Sequence, residues 1–420
     1  MKRLHVLHGV LLSILLMAGI VPTFADTHVW TGLGLTGNWS IPANWAANNP
    51  PAAGEASPNY IVFPAGATRL NNTNNIAGLV VDRLSFDGSG YHIHGSGNGT
   101  NLTFRGGYGN FGGNGTHTLG ETLTITLTNV VQFYSGPTSN IRIRSRLVGA
   151  GGLKVAAVSV ITLDGALPNT YSGTTTLTDG VLALARGYSL FGTWVPSVAV
   201  SGPLVVGDTN ILAEPYVLEI YGGQIADTSH VTINPNGTLY LGGNDDTIGA
   251  LTMTGGSLYG DSLETIVIGT LTLGGNVTAH YSPLLNAVIT AKLNLGGVTR
   301  TVNVASNATF VISGAIADGG DGRFPIGLTK TGAGILMLAA SSSTYDGTTL
   351  INAGSVEVSG NGALGATSGG TTVANGAQLI LNSVVVGAEP LTLNGSGANG
   401  ALVGIGTASI AGSITLASDA

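Results

Sequence analysis

The sequence predicts an all-β fold, a parallel β-solenoid, and three observations carry that prediction. First, short strand–turn–strand units recur: "TTTLTDGVLAL" (174–184), "SHVTINPNGTLYLGG" (229–243), "TTLINAGSVEVS" (348–359) and "TTVANGAQLILN" (371–382). Inside each unit apolar residues alternate, as in Val356 and Val358 or Leu379 and Leu381. That is the period of a half-buried strand. Second, aliphatic residues at i, i+3 and i+4 are not sustained beyond the apolar N-terminus, and glycine, at about 1 kcal/mol per residue against a helix, interrupts nearly every window. Third, the 420 residues include 67 glycines and no cysteine, and only 8% are charged. A surface of Thr, Ser, Asn and Gly suits strands and tight turns. Units recurring every ~20–25 residues read as coils stacked about 4.8 Å apart, which makes about 15–20 coils and a rod of about 70–95 Å. Inward Val, Leu and Ile would form the core, and outward Thr, Ser and Asn would form ladders between coils. Gly and Asn would take the corners where φ must be positive.

The elements follow in order. "MKRLHVLHGVLLSILLMAGIVPTFADT" has Lys2 and Arg3, an apolar run from Val6 to Val21, and small residues before a cut after Ala25. Residues 1–25 thus read as a secretory signal peptide. An uncleaved anchor is the alternative, but the run is short against the about 17–25 residues of a spanning helix. Residues 26–145 read as an N-terminal cap merging into irregular early coils. They hold Trp30, Trp39 and Trp45 in "VWTGLGLTGNWSIPANW", a Pro-rich loop at 50–58, and strands such as "YIVF" and "RLSFDG". Residues 146–420 read as β-helix, with a longer repeated unit at 149–192 and again at 327–365.

The copy at 327–365, "GLTKTGAGILMLAASSSTYDGTTLINAGSVEVSGNGALG", resembles the autotransporter-associated β-strand repeat, also called the passenger-associated transport repeat. Gly327, Leu328, Lys330, Gly332, Gly334, Tyr345, Gly347, Gly354 and Gly365 match its pattern. The earlier copy keeps Gly152, Leu153, Lys154, Tyr171, Gly173 and Gly180, and departs at Val155-Ala156-Ala157. "WTGLGLTGNWSIPANW", "IVFPAGATRLNNTNN" and "DTIGALTMTGGSLYG" are similar to segments of large exported proteins that carry the repeat. The resemblance implies a right-handed parallel β-helix passenger, secreted or displayed at the outer membrane, and supplies no catalytic residue. The chain stops at "GSITLASDA", inside what reads as a strand. A solenoid needs capped ends, so a truncated C-terminus is expected, with membrane attachment only through a barrel or anchor outside this chain. A complete protein exported by another route is the rival reading. "NPNG" (234–237) reads as a turn.

Each candidate for chemistry has a plain structural counterpart. Gly395, Gly397 and Gly400 have dinucleotide-loop spacing, but "ALVGIGTASIAG" after them is not the helix that such a loop requires. His92 and His94 share a strand face and could begin a metal site with His117 nearby; solvent-facing histidines are the preferred reading. Asp245 and Asp246 sit in a turn and would point apart. Asp318 and Asp321, with Arg323 near, are the metal or catalytic candidates, against a solvated loop. Trp30, Trp39 and Trp45 would stack on sugars if exposed, or plug the core if buried. Asn98, Asn101 and Asn114 head Asn-x-Ser/Thr sequons and read as turn residues.

The functional expectation is a secreted or surface-displayed, structural or adhesive passenger, non-catalytic and without a cofactor. Its partners would be a surface polysaccharide or a ligand on a host or neighbouring cell. The net charge of -7 argues against nucleic acid. A β-helix polysaccharide lyase or hydrolase, or a carbohydrate-binding surface protein, is the alternative.

Overall fold

The computed structural model describes residues 26–261, 267–397 and 399–418. The signal-peptide reading of 1–25 lies outside them. The chain winds as a parallel β-solenoid of about 15 turns. No α-helix occurs among the described residues, and none of their helices is long and apolar enough to cross a membrane.

Two parallel sheets run along the rod. Sheet I opens with Asp26–Val29 and Asn59–Phe63 and closes with Leu391–Leu393 and Ile414–Leu416. Sheet II opens with Asn71–Asn74 and His92–Gly95 and closes with Gln378–Asn382 and Leu402–Ile405. A third face is strand-built only in places, as where Asp246–Ile248, Thr270–Leu273, Lys292–Asn294 and Ile316–Ala317 stack. Both sheets continue without a break across residue 145.

Alternation builds the core directly. Leu79, Leu102, Ile125 and Leu147 take one inward column in successive coils. Phe63, Phe86 and Phe111 take another, with rings stacked 5.0 and 4.7 Å apart. Outside, Thr232, Thr252 and Thr278 pair rung on rung. The glycine turns do the rest: Gly180 and Gly354 have φ of 72° and 65°, which L side chains rarely adopt. One sequence alignment shifts by a residue. The Thr348-Thr349 and Thr371-Thr372 pairs look equivalent, yet Thr349 stacks on Thr371 while Val356 stacks on Leu379. The later turn is one residue longer and absorbs the difference.

One buried pair has a pH consequence. Glu219 and Asp246 meet inside the solenoid. Asp246 accepts the backbone N–H groups of Gln224 (2.9 Å), Ile225 (3.1 Å) and Thr247 (2.6 Å). No backbone donor reaches Glu219. Burial, then the charge of Asp246, raises the Glu219 carboxyl well above its ordinary range. The folded chain therefore holds a proton that the unfolded chain releases above about pH 4.3. This contribution to stability is complete below that value and is lost as pH rises through the folded-state value. Denaturation midpoints taken from pH 4 upward should show the wild type losing up to about 1.4 kcal/mol per pH unit relative to Glu219→Gln. Parallel pH profiles for the two proteins would refute the assignment.

Candidate functional site

The residues singled out in the sequence fall into two groups. The repeat motif is internal. Tyr171 and Tyr345 are fully buried, and each hydroxyl meets a threonine hydroxyl four residues on, Thr175 at 2.5 Å and Thr349 at 2.6 Å. Gly173 and Gly347 lie against the backbone of the preceding coil; a Cβ there would stand 2.4–2.5 Å from Gly151 or Ile326. Gly327, Gly332 and Gly334 are equally close to backbone carbonyls, and Gly365 sits over the Tyr345 ring. Leu328 is core. Lys330 also points inward: its ammonium donates to the carbonyls of Thr331 (2.9 Å), Gly332 (2.7 Å) and Ala353 (3.0 Å). Lys154 is not its equivalent. One residue is missing from the earlier copy, so Lys154 faces outward and Val155 takes the inward place.

The other candidates are corrected or placed. Trp30, Trp39 and Trp45 are buried and pack on one another and on Phe63, so they offer no face to a sugar. Their indole N–H groups are satisfied inside, by Arg69 O, Asn72 Oδ1 and Trp39 O. His117 is core, stacked beside Tyr91, while His92 and His94 face outward. Asp246 is buried and Asp245 exposed. Asp318 and Asp321 each cap their own loop, accepting from Gly320 and Arg323, and Asp321 pairs with Arg323 in solvent. They are not among the described residues grouped closely enough to share a metal ion. Gly395, Gly397 and Gly400 lie in the turn before the strand Leu402–Ile405, not before a helix.

A recess that gathers charged and aromatic side chains lies on the outer face of sheet II. "IRIR" (141–144) alternates, so Ile141 and Ile143 enter the core and Arg142 and Arg144 point out. Coil stacking sets Thr118 on one side of Arg142 and Thr162 on the other. Arg142 hydrogen-bonds Asp164, and Arg144 hydrogen-bonds Glu121 and lies 3.9 Å from Asp164. Arg186 braces this floor from within. Wholly buried, it donates to the carbonyls of Arg144, Ser145 and Leu167. Burial pulls its guanidinium down to about 10, and Asp164 opposes that shift.

One end of the recess is aromatic. After Arg186 the strand leaves the sheet as an antiparallel hairpin, in which Gly187–Leu190 pairs with Thr193–Pro196. Phe191 at its tip is fully exposed. Trp194 folds back and stacks on Tyr221 at 4.2 Å and 29°. Only glycine fits at 187, since a Cβ there would lie 2.7 Å from the Trp194 ring. A cavity of about 210 Å³ is bounded by Arg142, Arg144, Asp164, Trp194 and Tyr221, and a neighbouring one of about 300 Å³ extends to His92 and His94. The sequence signal for this site was the alternating "IRIR"; the hairpin and the coil register that complete it were not legible. Glu121 and Asp164 are each paired with an arginine.

The comparisons fit this architecture. The family model described as passenger-associated-transport-repeat matches residues 161–184 and 328–358. "Adhesin BmaC autotransporter" of Brucella suis biovar 1 (strain 1330) is 29% identical over 171 residues, which are 39% of this chain and 5% of that protein. The chain thus matches only a small part of that relative's length. No solved structure matches. Both matched regions hold a tyrosine–threonine corner and a tightly packed glycine, and there the chain is similar to the passenger-associated transport repeat.

Proposed function

We propose that the chain forms part of an exported, surface-displayed, right-handed β-helix passenger, and that it acts by adhesion without catalysis. The segment around Trp30, Trp39 and Trp45 is its N-terminal cap. The ligand is a polysaccharide bearing acidic groups, taken along the sheet II recess. One observation carries this reading: Arg142 and Arg144 stand beside the stacked Trp194–Tyr221 pair in a single outward recess. Each arginine is paired with a carboxylate yet stays half-exposed, so its remaining N–H groups can take carboxylate or sulfate groups, and a half-exposed aromatic pair suits the apolar face of a sugar ring. The repeat match and the adhesin name of the relative support it. An enzyme reading has less behind it, because both carboxylates of the recess are bound by arginine.

A panel of acidic and neutral polysaccharides, immobilised and probed with the purified chain, tests the proposal. Binding should favour acidic members, and Trp194→Ala should weaken it by about 10- to 100-fold, as for a central aromatic anchor. Equal binding by Trp194→Ala would move the ligand elsewhere on the rod. Release of reducing or unsaturated sugars would overturn the non-catalytic reading.

A further inference from the structure

A second site, independent of the recess, lies at the N-terminal end of the rod. Asp26, His28 and Glu55 each bring a ligand atom within 4.8 Å of the others. His28 belongs to the first strand of sheet I, and Glu55 comes from the Pro-rich loop that crosses it. The imidazole is buried, and Trp45 packs against it edge-on at 6.2 Å. Its Nδ1 lies 3.1 Å from the Asn49 carbonyl. A carbonyl only accepts, so Nδ1 carries a proton. Nε2 faces Glu55 Oε2 at 3.1 Å. A cation holds this contact: a second proton on the imidazole, or a metal ion bound by both groups.

We propose that this cation is a divalent metal of the zinc class. One neutral imidazole and two carboxylates balance a charge of two. Ligands at about 2.0–2.1 Å on a tetrahedral zinc ion stand about 3.3–3.4 Å apart, close to the Nε2–Oε2 separation. The Asn49 carbonyl on Nδ1 is the outer contact that fixes tautomer and ring orientation in zinc–histidine sites. Asp26 is exposed and Glu55 partly so, which leaves an entry path and room for water as a fourth ligand. Calcium, which prefers an all-oxygen shell, fits less well. The bound ion ties the 49–58 loop to the first strand and closes the solenoid end against fraying.

Titrating the metal-stripped chain with Zn²⁺ in a calorimeter, followed by hydrogen exchange, tests this. One Zn²⁺ should bind per site. At about 100 times Kd, opening of residues 26–63 should slow about 100-fold. Glu55→Gln, which keeps the size of the side chain, should bind Zn²⁺ at least about 10-fold more weakly and lose the protection. Asp26→Asn should do the same. If Glu55→Gln binds as well as the wild type, the metal sits elsewhere and the proposal fails. If no Zn²⁺ binds, the cation is the His28 proton alone and the proposal likewise fails. Protection by Ca²⁺ but not Zn²⁺ would overturn the assigned class.

Discussion

Replacing Gly347 by alanine should open the solenoid at one coil boundary. The added Cβ would stand 2.5 Å from Ile326 C and 2.6 Å from Gly327 N, both backbone atoms of the preceding coil. Neither can swing aside as a side chain could, so the coils must separate and the ladder between Leu328–Thr331 and Thr349–Ile351 must stretch. Overpacking of this kind costs about 3 kcal/mol or more. A solenoid's stability is held in nearest-neighbour contacts, so the damage should stay local. Hydrogen exchange should show faster opening around residues 326–365, with the early coils unchanged. Gly387→Ala is the control: an added Cβ there meets nothing within 4 Å, and stability should stay within about 0.5 kcal/mol. Equal behaviour of the two variants would refute the packing account.

Lys330→Met should have the next largest effect, and its pH dependence should identify the cause. The ammonium bonds three carbonyls in the turns of two successive coils. Methionine keeps most of the stem but orphans those acceptors, at about 1–3 kcal/mol for a buried polar group. Losing the cost of burying a charge offsets part of this, so a net loss of about 2 kcal/mol is expected at pH 7. Burial lowers the Lys330 amine from 10.5 to about 8. The unfolded chain then holds more protons than the folded one between about pH 8 and 10.5. Wild-type stability should therefore rise across that window relative to Lys330→Met. A difference that does not change with pH would show that Lys330 acts through packing alone.

Both residues show how far a sequence motif reaches. Gly347 and Lys330 stand out in the amino-acid string by their place in a repeat, and composition alone identifies strands rather than helices. What the string does not say is which way Lys330 points. Leu328 and Lys330 share an inward face, whereas Lys154, one position short, lies outward. A strand's two-residue period makes a single deletion exchange the faces, so matching letters placed Lys154 wrongly. The tryptophans show the opposite case. Their clustering was legible, but the choice between plug and platform depended on Phe63 and on acceptors 6 to 39 residues away.

The period, the alternation and the corners are written in the amino-acid string: which residues can lie inward, and where only glycine can turn. These are local properties, set by backbone sterics and side-chain polarity over a few residues. Tertiary structure alone decided the sites. Arg142 meets Asp164, Glu219 meets Asp246 and His28 meets Glu55 across separations of 22 to 27 residues. Each pairing exists because one coil rests on the next. The register is the sum of every turn length between the partners, and one residue more or less in any turn would part them.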